Sequence, residues 1–286
     1  MIPVHGPGPY FRDAVASALA EEPAEVLVVE DGTEGVDEES LRGARLLRLE
    51  HVRRSRARNA GVEAASTSYV AFLDEDDLCL GGRLERQLES LHAAPGATMS
   101  YGRVLVIDER GDPIPDWNDL LARRFDELVG RGSTYAAVAG LGGPLYTSAT
   151  MVRRDAFLAS GGFDPAFDAH EDLDLYLRLA RRGELVPCMG EPVTAYRLHG
   201  ANTSSDALYR GTLGVTAKHL PEAHGADRRA LLERRIDALW GLGEFGTCRR
   251  EALAALVSEP SLLWHPRFVR RLVGLTLPRP LLESRR

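Results

Sequence analysis

Short apolar runs alternate with stretches of helical spacing along the first two thirds of the chain. Val26-Leu27-Val28-Val29 is short, continuous and β-branched, which predicts a strand buried on both faces. Phe11, Val15, Ala18 and Leu19 recur at helical spacing before it and predict a helix over 11–21. Met1–Val4 suits a short first strand, so the chain opens β-α-β. Further strands are expected at 46–49, 69–73, 98–107, 145–152 and 193–198, and helices at 55–65, 82–91 and 171–182. Asp155 is placed to cap a short helix, and turns fall at 112–116 and 161–164. The segment 117–143 is weakly patterned and predicts a loop over a site or a plain connection. Beyond about Ser205 the pattern is helical only.

This alternation predicts an α/β fold: a mostly parallel sheet flanked by helices over 1–205, with a helical C-terminal extension over 206–286. Ligands of such sheets sit beyond the carboxyl ends of the strands. Glu30-Asp31-Gly32 and Asp74-Glu75-Asp76-Asp77 both fall there. If the strand geometry continues past Leu73, Asp74 and Asp76 point to one side. Two carboxylates so placed suit a hard divalent cation, Mn²⁺ or Mg²⁺.

Composition narrows the classes. At 286 residues and 44% hydrophobic, the chain can bury a sizeable core, and no run of apolar residues is long enough to span a bilayer. Met1–His5 lacks the basic and apolar regions of a signal peptide, and three scattered cysteines (Cys79, Cys188, Cys248) suit a reducing compartment. A cytoplasmic location is therefore expected. Charge is uneven: 206–286 balance at +5 and the rest at −12. An acidic body argues against nucleic acid as a partner. In the basic tail, Arg267, Arg270 and Arg271 mix with Phe268, Val269, Leu272 and Leu275 over 265–282. Such a helix can lie peripherally on an anionic membrane, or pack on the catalytic domain or a second copy of the chain.

Six motifs stand in order: Val28-Val29-Glu30-Asp31-Gly32, Ala57-Arg58-Asn59-Ala60-Gly61, Phe72-Leu73-Asp74-Glu75-Asp76-Asp77, Gly161-Gly162-Phe163-Asp164, Glu171-Asp172-Leu173-Asp174-Leu175 and Tyr196-Arg197-Leu198-His199. Together they resemble the family 2 glycosyltransferases of GT-A fold, over roughly Ile2 to Ser205, with mild departures at Glu30 and Thr33. The resemblance implies an inverting, metal-dependent enzyme using a nucleotide-sugar donor, most simply a UDP-sugar. The acceptor would be a carbohydrate, a lipid-linked molecule or a small molecule. It implies that Asp31 accepts a hydrogen bond from the base and that Pro3 and Val4 lie against the nucleotide. Arg58 would approach the diphosphate, where a guanidinium fork matches phosphate. Asp74 would touch the ribose or the metal shell, and Asp76 would bind the cation with His199 as a further ligand. Asp172 would be the general base, with Glu171 beside it. Adjacent acids raise one another's pKa, which would suit a base working near pH 7.

Asp174 and Arg178 are spaced for a structural i,i+4 ion pair. Acceptor-binding residues are expected within 101–150. Two rivals stay open at this stage: a nucleotidyltransferase, for which Gly6-Pro7-Gly8-Pro9 is a poor phosphate loop, and a non-catalytic nucleotide-sugar-binding subunit.

Overall fold

The computed structural model describes residues 1–32, 35–141 and 145–275. Thr33 and the expected helix beyond 275 lie outside the described residues.

Strands β1 (Ile2–Val4), β2 (Leu27–Asp31) and β3 (Arg45–Leu49) form a parallel unit with β2 in the middle. Helix α1 (Phe11–Leu19) covers one face of β2 and α3 (Arg54–Ala64) the other, while α2 (Glu38–Leu41) is a single turn. Alternate β2 residues divide accordingly: Val28 packs with Phe11 and Val15, and Leu27 and Val29 pack with Ala57. Burial on both faces is why the run is apolar throughout. Gly61 lets α3 approach this closely, since a Cβ there would stand 2.8 Å from Met1 and 2.9 Å from Val29.

β4 (Tyr69–Ala71) pairs antiparallel with β8 (Thr150–Arg153), and β6 (Ala97–Gly102) lies between β8 and β9 (Glu184–Cys188). β5 (Leu78–Cys79), β10 (Thr194–Arg197) and β7 (Val104–Ile107) form a third ribbon. Helices α4 (Arg83–Ala93), α5 (Pro115–Gly130), α6 (Tyr135–Leu141), α7 (Arg154–Ser160) and α8 (Glu171–Ala180) fill the faces. The extension comprises α9 (Ser205–His219), α10 (Gly225–Gly241), α11 (Phe245–Ser258) and α12 (Pro266–Gly274). No described helix is long and apolar enough to cross a membrane.

Several expectations need correction. The strand expected over 98–107 is two strands in different sheets, broken where a Cβ on Gly102 would strike Val193 at 2.5 Å. The segment 117–143 is mostly helical, with Leu121, Phe125 and Leu128 buried along one face of α5. Of 145–152 only the end is strand, preceded by a 3₁₀ turn at Thr147–Ala149. Asp155 sits inside the first turn of α7, bonded to Ala156 N–H; Arg153 holds the cap position. Strand β9 was not expected at all.

The acidic run does not extend β4 either. After Ala71 the chain turns, with Asp77 N–H donating to the Asp74 carbonyl at 3.2 Å. Alternation along a strand therefore does not set the directions of Asp74 and Asp76.

Candidate active site

Two cavities adjoin beyond the carboxyl ends of β1 and β2. The first, about 380 Å³, is lined by Pro3, Val4, His5, Asp31, His51, Asp74 and Asp76, among others. The second, about 630 Å³, is lined by Arg58, Asp74, Glu171 and Asp172 and by residues of α5, α10 and α12, among others. Asp74 lines both.

Asp31 ends β2 and is buried. Its Oδ1 accepts from Val52 N–H at 2.6 Å, and its carbonyl accepts from His5 Nδ1 at 2.7 Å. Oδ2 lies 3.5 Å from His51 Nδ1. Glu30 points away from the cavity, buried against Arg48 (2.9 Å) and Val36 N–H (3.0 Å).

Arg58 lies on α3, is 1% exposed, and is committed on two sides. It donates to Asp74 Oδ1 at 2.5 Å and to Glu171 Oε1 at 2.9 Å, with its guanidinium over the Phe163 ring. Burial pushes its pKa down, but the charges of Asp74 and Glu171 prevail and raise it. A guanidinium so enclosed neutralises its neighbours; Arg53 and Arg54, more exposed, line the first cavity instead. Both terminal nitrogens of Arg58 are committed in this way, while its buried Nε has no hydrogen-bond partner among the described residues. Asn59 clasps the Gly161–Asp164 turn from the same helix, its side chain bonded to both Phe163 N–H and carbonyl at 2.8 Å.

Asp76 Oδ2 accepts from His199 Nε2 at 2.7 Å, and Asn202 Oδ1 holds His199 N–H at 2.6 Å. Burial, then the charge of Asp74, raises the pKa of Asp76 against the pull of His199. Asp77 is fully buried and ties the loop to β10 through Arg197 N–H at 2.9 Å. Burial and its acidic neighbours raise its pKa well above the ordinary value. Burial raises that of Glu75 too. A divalent cation fits this loop: it would relieve crowded carboxylates and take the place of the proton between Asp76 and His199. Among the described residues, however, the triad whose donor atoms converge within 4.8 Å is His5, Asp31 and His51. Asp74, turned to Arg58, does not join Asp76 and His199 that closely.

Asp172 and Glu171 open α8 side by side but differ. Glu171 is buried and bound by Arg58 and Arg54 (3.1 Å). Burial raises its pKa, with Arg58 opposing. Asp172 keeps 28% of its side chain exposed, facing the second cavity, 3.8 Å from His170 Nδ1. Burial pushes its pKa up, but His170, Leu173 N–H and Arg58 outweigh that and leave it below the ordinary value. The expectation that paired acids raise the base is corrected accordingly.

The family model described as "Glycosyltransferase like family 2" matches residues 8–221. The chain belongs to this family. Its α/β fold is of the GT-A kind: it superposes on S. aureus TarS residues 1–349 with a TM-score of 0.64 at 14% identity, covering 99% of this chain and 89% of that one. Among curated relatives, an uncharacterized glycosyltransferase, YwdF of Bacillus subtilis, is 29% identical over 209 residues, 72% of this chain and 66% of that protein. The amylovoran biosynthesis glycosyltransferase AmsE of Erwinia amylovora is 26% identical over 170 residues, 57% and 60% of the two chains. The chain thus spans about two thirds or less of these curated relatives.

Within this family member the structure brings Pro3, Val4, Asp31, Asp74 and Asp76 to one cavity and Arg58, Glu171 and Asp172 to the next, with His199 behind Asp76. Sequence reasoning passed over His5 and His51, which flank Asp31 with ring centroids 4.7 Å apart. It gave no role to Tyr146, whose ring is tilted against that of Tyr196 with centroids 4.6 Å apart, or to Arg234 of the extension. His5 was findable as the residue just after the first strand; the others carry no local signal. The Asp174–Arg178 pair stands as expected, at 2.6 Å, joined by His219 and Lys218, each at 2.8 Å.

Proposed function

We propose that this glycosyltransferase moves a sugar from a UDP-sugar to an acceptor hydroxyl with inversion at the anomeric carbon. The observation that carries the reading is the junction of two cavities at Asp74, one holding Asp31 and Asp76 and the other opening on Asp172. The base enters the first cavity and donates its imide N–H to Asp31 Oδ2, between His5 and His51, with Pro3 and Val4 along the nucleotide. Asp76 and His199 would hold Mn²⁺ or Mg²⁺, with Asp74 at the ribose or the edge of the metal shell. When bound, that cation neutralises charge on the departing diphosphate. The acceptor occupies the second cavity, and its hydroxyl gives its proton to Asp172. Asp172 is partly exposed to the cavity and available to an acceptor hydroxyl, whereas Glu171 is buried and committed to Arg58 and Arg54. Arg58 positions Asp74 and Glu171 and compensates their charge. TarS, the fold neighbour, has been crystallised with UDP and with UDP-GlcNAc, which supports trying these ligands first.

In this reading 1–205 form the donor-binding catalytic domain and 206–286 supply a wall of the acceptor cavity. The location is cytoplasmic. Exposed Val257, Leu263 and Trp264, near Arg267 and Arg270, are where peripheral membrane contact or a homodimer would form, and vesicle flotation against light scattering separates those two.

A thermal-shift panel of nucleotides and nucleotide-sugars, with and without Mn²⁺, tests the donor assignment, since a ligand that binds the native state raises its melting temperature. UDP with Mn²⁺ is expected to give the largest rise. A flat response to UDP and UDP-sugars overturns the reading. The family match leaves the nucleotidyltransferase reading without support.

A further inference from the structure

Three neighbouring parallel strands end together at the first cavity, and each end carries a side chain that can ligate a metal. Val4 pairs with Glu30 and Leu49 with Asp31, so His5 leaves β1 on one side of Asp31 and His51 follows β3 on the other. Asp31 is 3% exposed and accepts Val52 N–H on Oδ1, which leaves Oδ2 to a ligand. His51 is held by bonds on both sides of it in the chain, since Gly32 N–H donates to the Leu49 carbonyl at 2.9 Å and Val52 N–H to Asp31 at 2.6 Å. Its Nδ1 lies 3.5 Å from Asp31 Oδ2. Two ligands of one tetrahedral Zn²⁺ stand about 3.3 Å apart. His5 Nδ1 donates to the Asp31 carbonyl at 2.7 Å. Such a backbone bond orients an imidazole ligand and puts its lone pair on Nε2. One donor atom from each of the three residues lies within 4.8 Å of the other two. Both histidines are exposed, so ring rotation is free to close the remaining gap. Asp74, Glu75 and Asp76 line the same cavity and favour a cation. Arg53 and Arg54, which also line it, are paired with Asp168 at 2.8 Å and Glu171 at 3.1 Å.

We infer that His5, Asp31 and His51 form a site for Zn²⁺, and that Zn²⁺ bound there shuts the nucleotide out. Two imidazoles and one carboxylate suit Zn²⁺, whereas Mg²⁺ prefers shells made of oxygen. Three protein ligands leave the fourth position open to water from the cavity. Asp31 Oδ2 cannot ligate a metal and accept the imide N–H of a base at once, so the two occupants compete. The competition rests on the base entering this cavity, as proposed above; the metal site does not. Zn²⁺ is then an inhibitor that acts at the base, through residues other than the Asp76 and His199 proposed for Mn²⁺ or Mg²⁺.

The test is calorimetric titration of Zn²⁺ into the full chain in excess Mg²⁺. One tight site is expected. In the His5→Gln/His51→Gln double variant zinc binding is expected to weaken about 100-fold, with the melting temperature establishing that the variant folds. His199→Ala, which removes the imidazole beside Asp76, is expected to keep the tight site. Zinc affinity that the folded double variant retains, or that is lost in His199→Ala instead, overturns the inference. Competition is read by ligand-observed NMR with uridine, which carries the imide but no diphosphate to chelate the metal. Zn²⁺ at about ten times its dissociation constant is expected to weaken uridine binding about tenfold, and a chelator to restore it. Uridine binding undiminished beside bound zinc overturns the competition. The donor reading fails separately: if neither uridine nor UDP binds the zinc-free chain, the base leaves this cavity and the competition goes with it. Zinc held through His5 and His51 then stands on the calorimetry alone.

Discussion

Compare the acidic loop at the donor end of the cleft with the arginine cluster at the acceptor end. At the first, Asp74, Glu75, Asp76 and Asp77 crowd one turn, and burial raises the pKa of the last three. At the second, Arg271 pairs with Asp237 at 2.7 Å and Arg267 stands 3.6 Å from Glu127, while burial pushes the pKa of Arg234 down to about 10. Burial opposes the charged form in both regions, raising carboxylates in one and lowering a guanidinium in the other, but only the acidic loop holds like charges that the fold leaves partly uncompensated. Between them, Arg58 with Asp74 and Glu171 is compensated on both sides, as is Asp174 with Arg178, His219 and Lys218. Compensated charge marks scaffold, and uncompensated charge marks where a ligand of opposite sign belongs.

That distinction can be broken most sharply at α8. Asp172→Asn is expected to lower kcat by about 10²–10⁴ while the donor KM changes little, read as initial rates of UDP release. An equal or larger kcat loss in Glu171→Gln would move the base to the compensated residue and defeat the contrast. Next comes Arg58→Ala, which leaves the buried Glu171 and the half-buried Asp74 without this counter-charge. We expect about 3–5 kcal/mol of destabilisation in urea unfolding. Stability near wild type would mean that Arg58 is no scaffold.

Cation removal follows. Asp76→Ala, or wild type with chelator, is expected to weaken UDP binding about 10–100-fold in calorimetric titration, and unchanged affinity would take Asp76 out of the metal site. The smallest effect sharpens the comparison through pH. Asp174, fully buried, has its pKa lowered to about 2: burial acts to raise it, but His219, Arg178 and Lys218 prevail. Its folded pKa lies below its unfolded one, so its contribution is complete above the unfolded value near 4 and disappears as pH falls through about 2. We expect about 2 kcal/mol of stability to be lost across that window, and Asp174→Asn to show a flatter slope there. An identical slope in the variant would show that the pair contributes nothing.

Much of this was legible in the chain itself. Buried strands announce themselves as continuous apolar runs, and helices by the spacing of one face, because burial acts on local periodicity. The six motifs are local too, so Asp31, Asp74, Asp76 and Asp172 could be picked out by eye. Packing decided the rest. Arg58 meets Asp74 across 16 residues and Glu171 across 113, and no local pattern reports such a pairing. It makes Arg58 an internal counter-charge to both carboxylates. The lowered pKa of Asp172 arises from His170 and Leu173 N–H, chain neighbours that the entry into α8 turns toward it, with Arg58 adding its charge from α3; only that conformation sets the balance against burial. The arginine cluster comes from three helices that converge only in the folded molecule. Sequence alone determined which elements form and which carboxylates stand at strand and helix ends. Tertiary structure decided which of those charges are satisfied, because Coulomb energy depends on distance and burial in space.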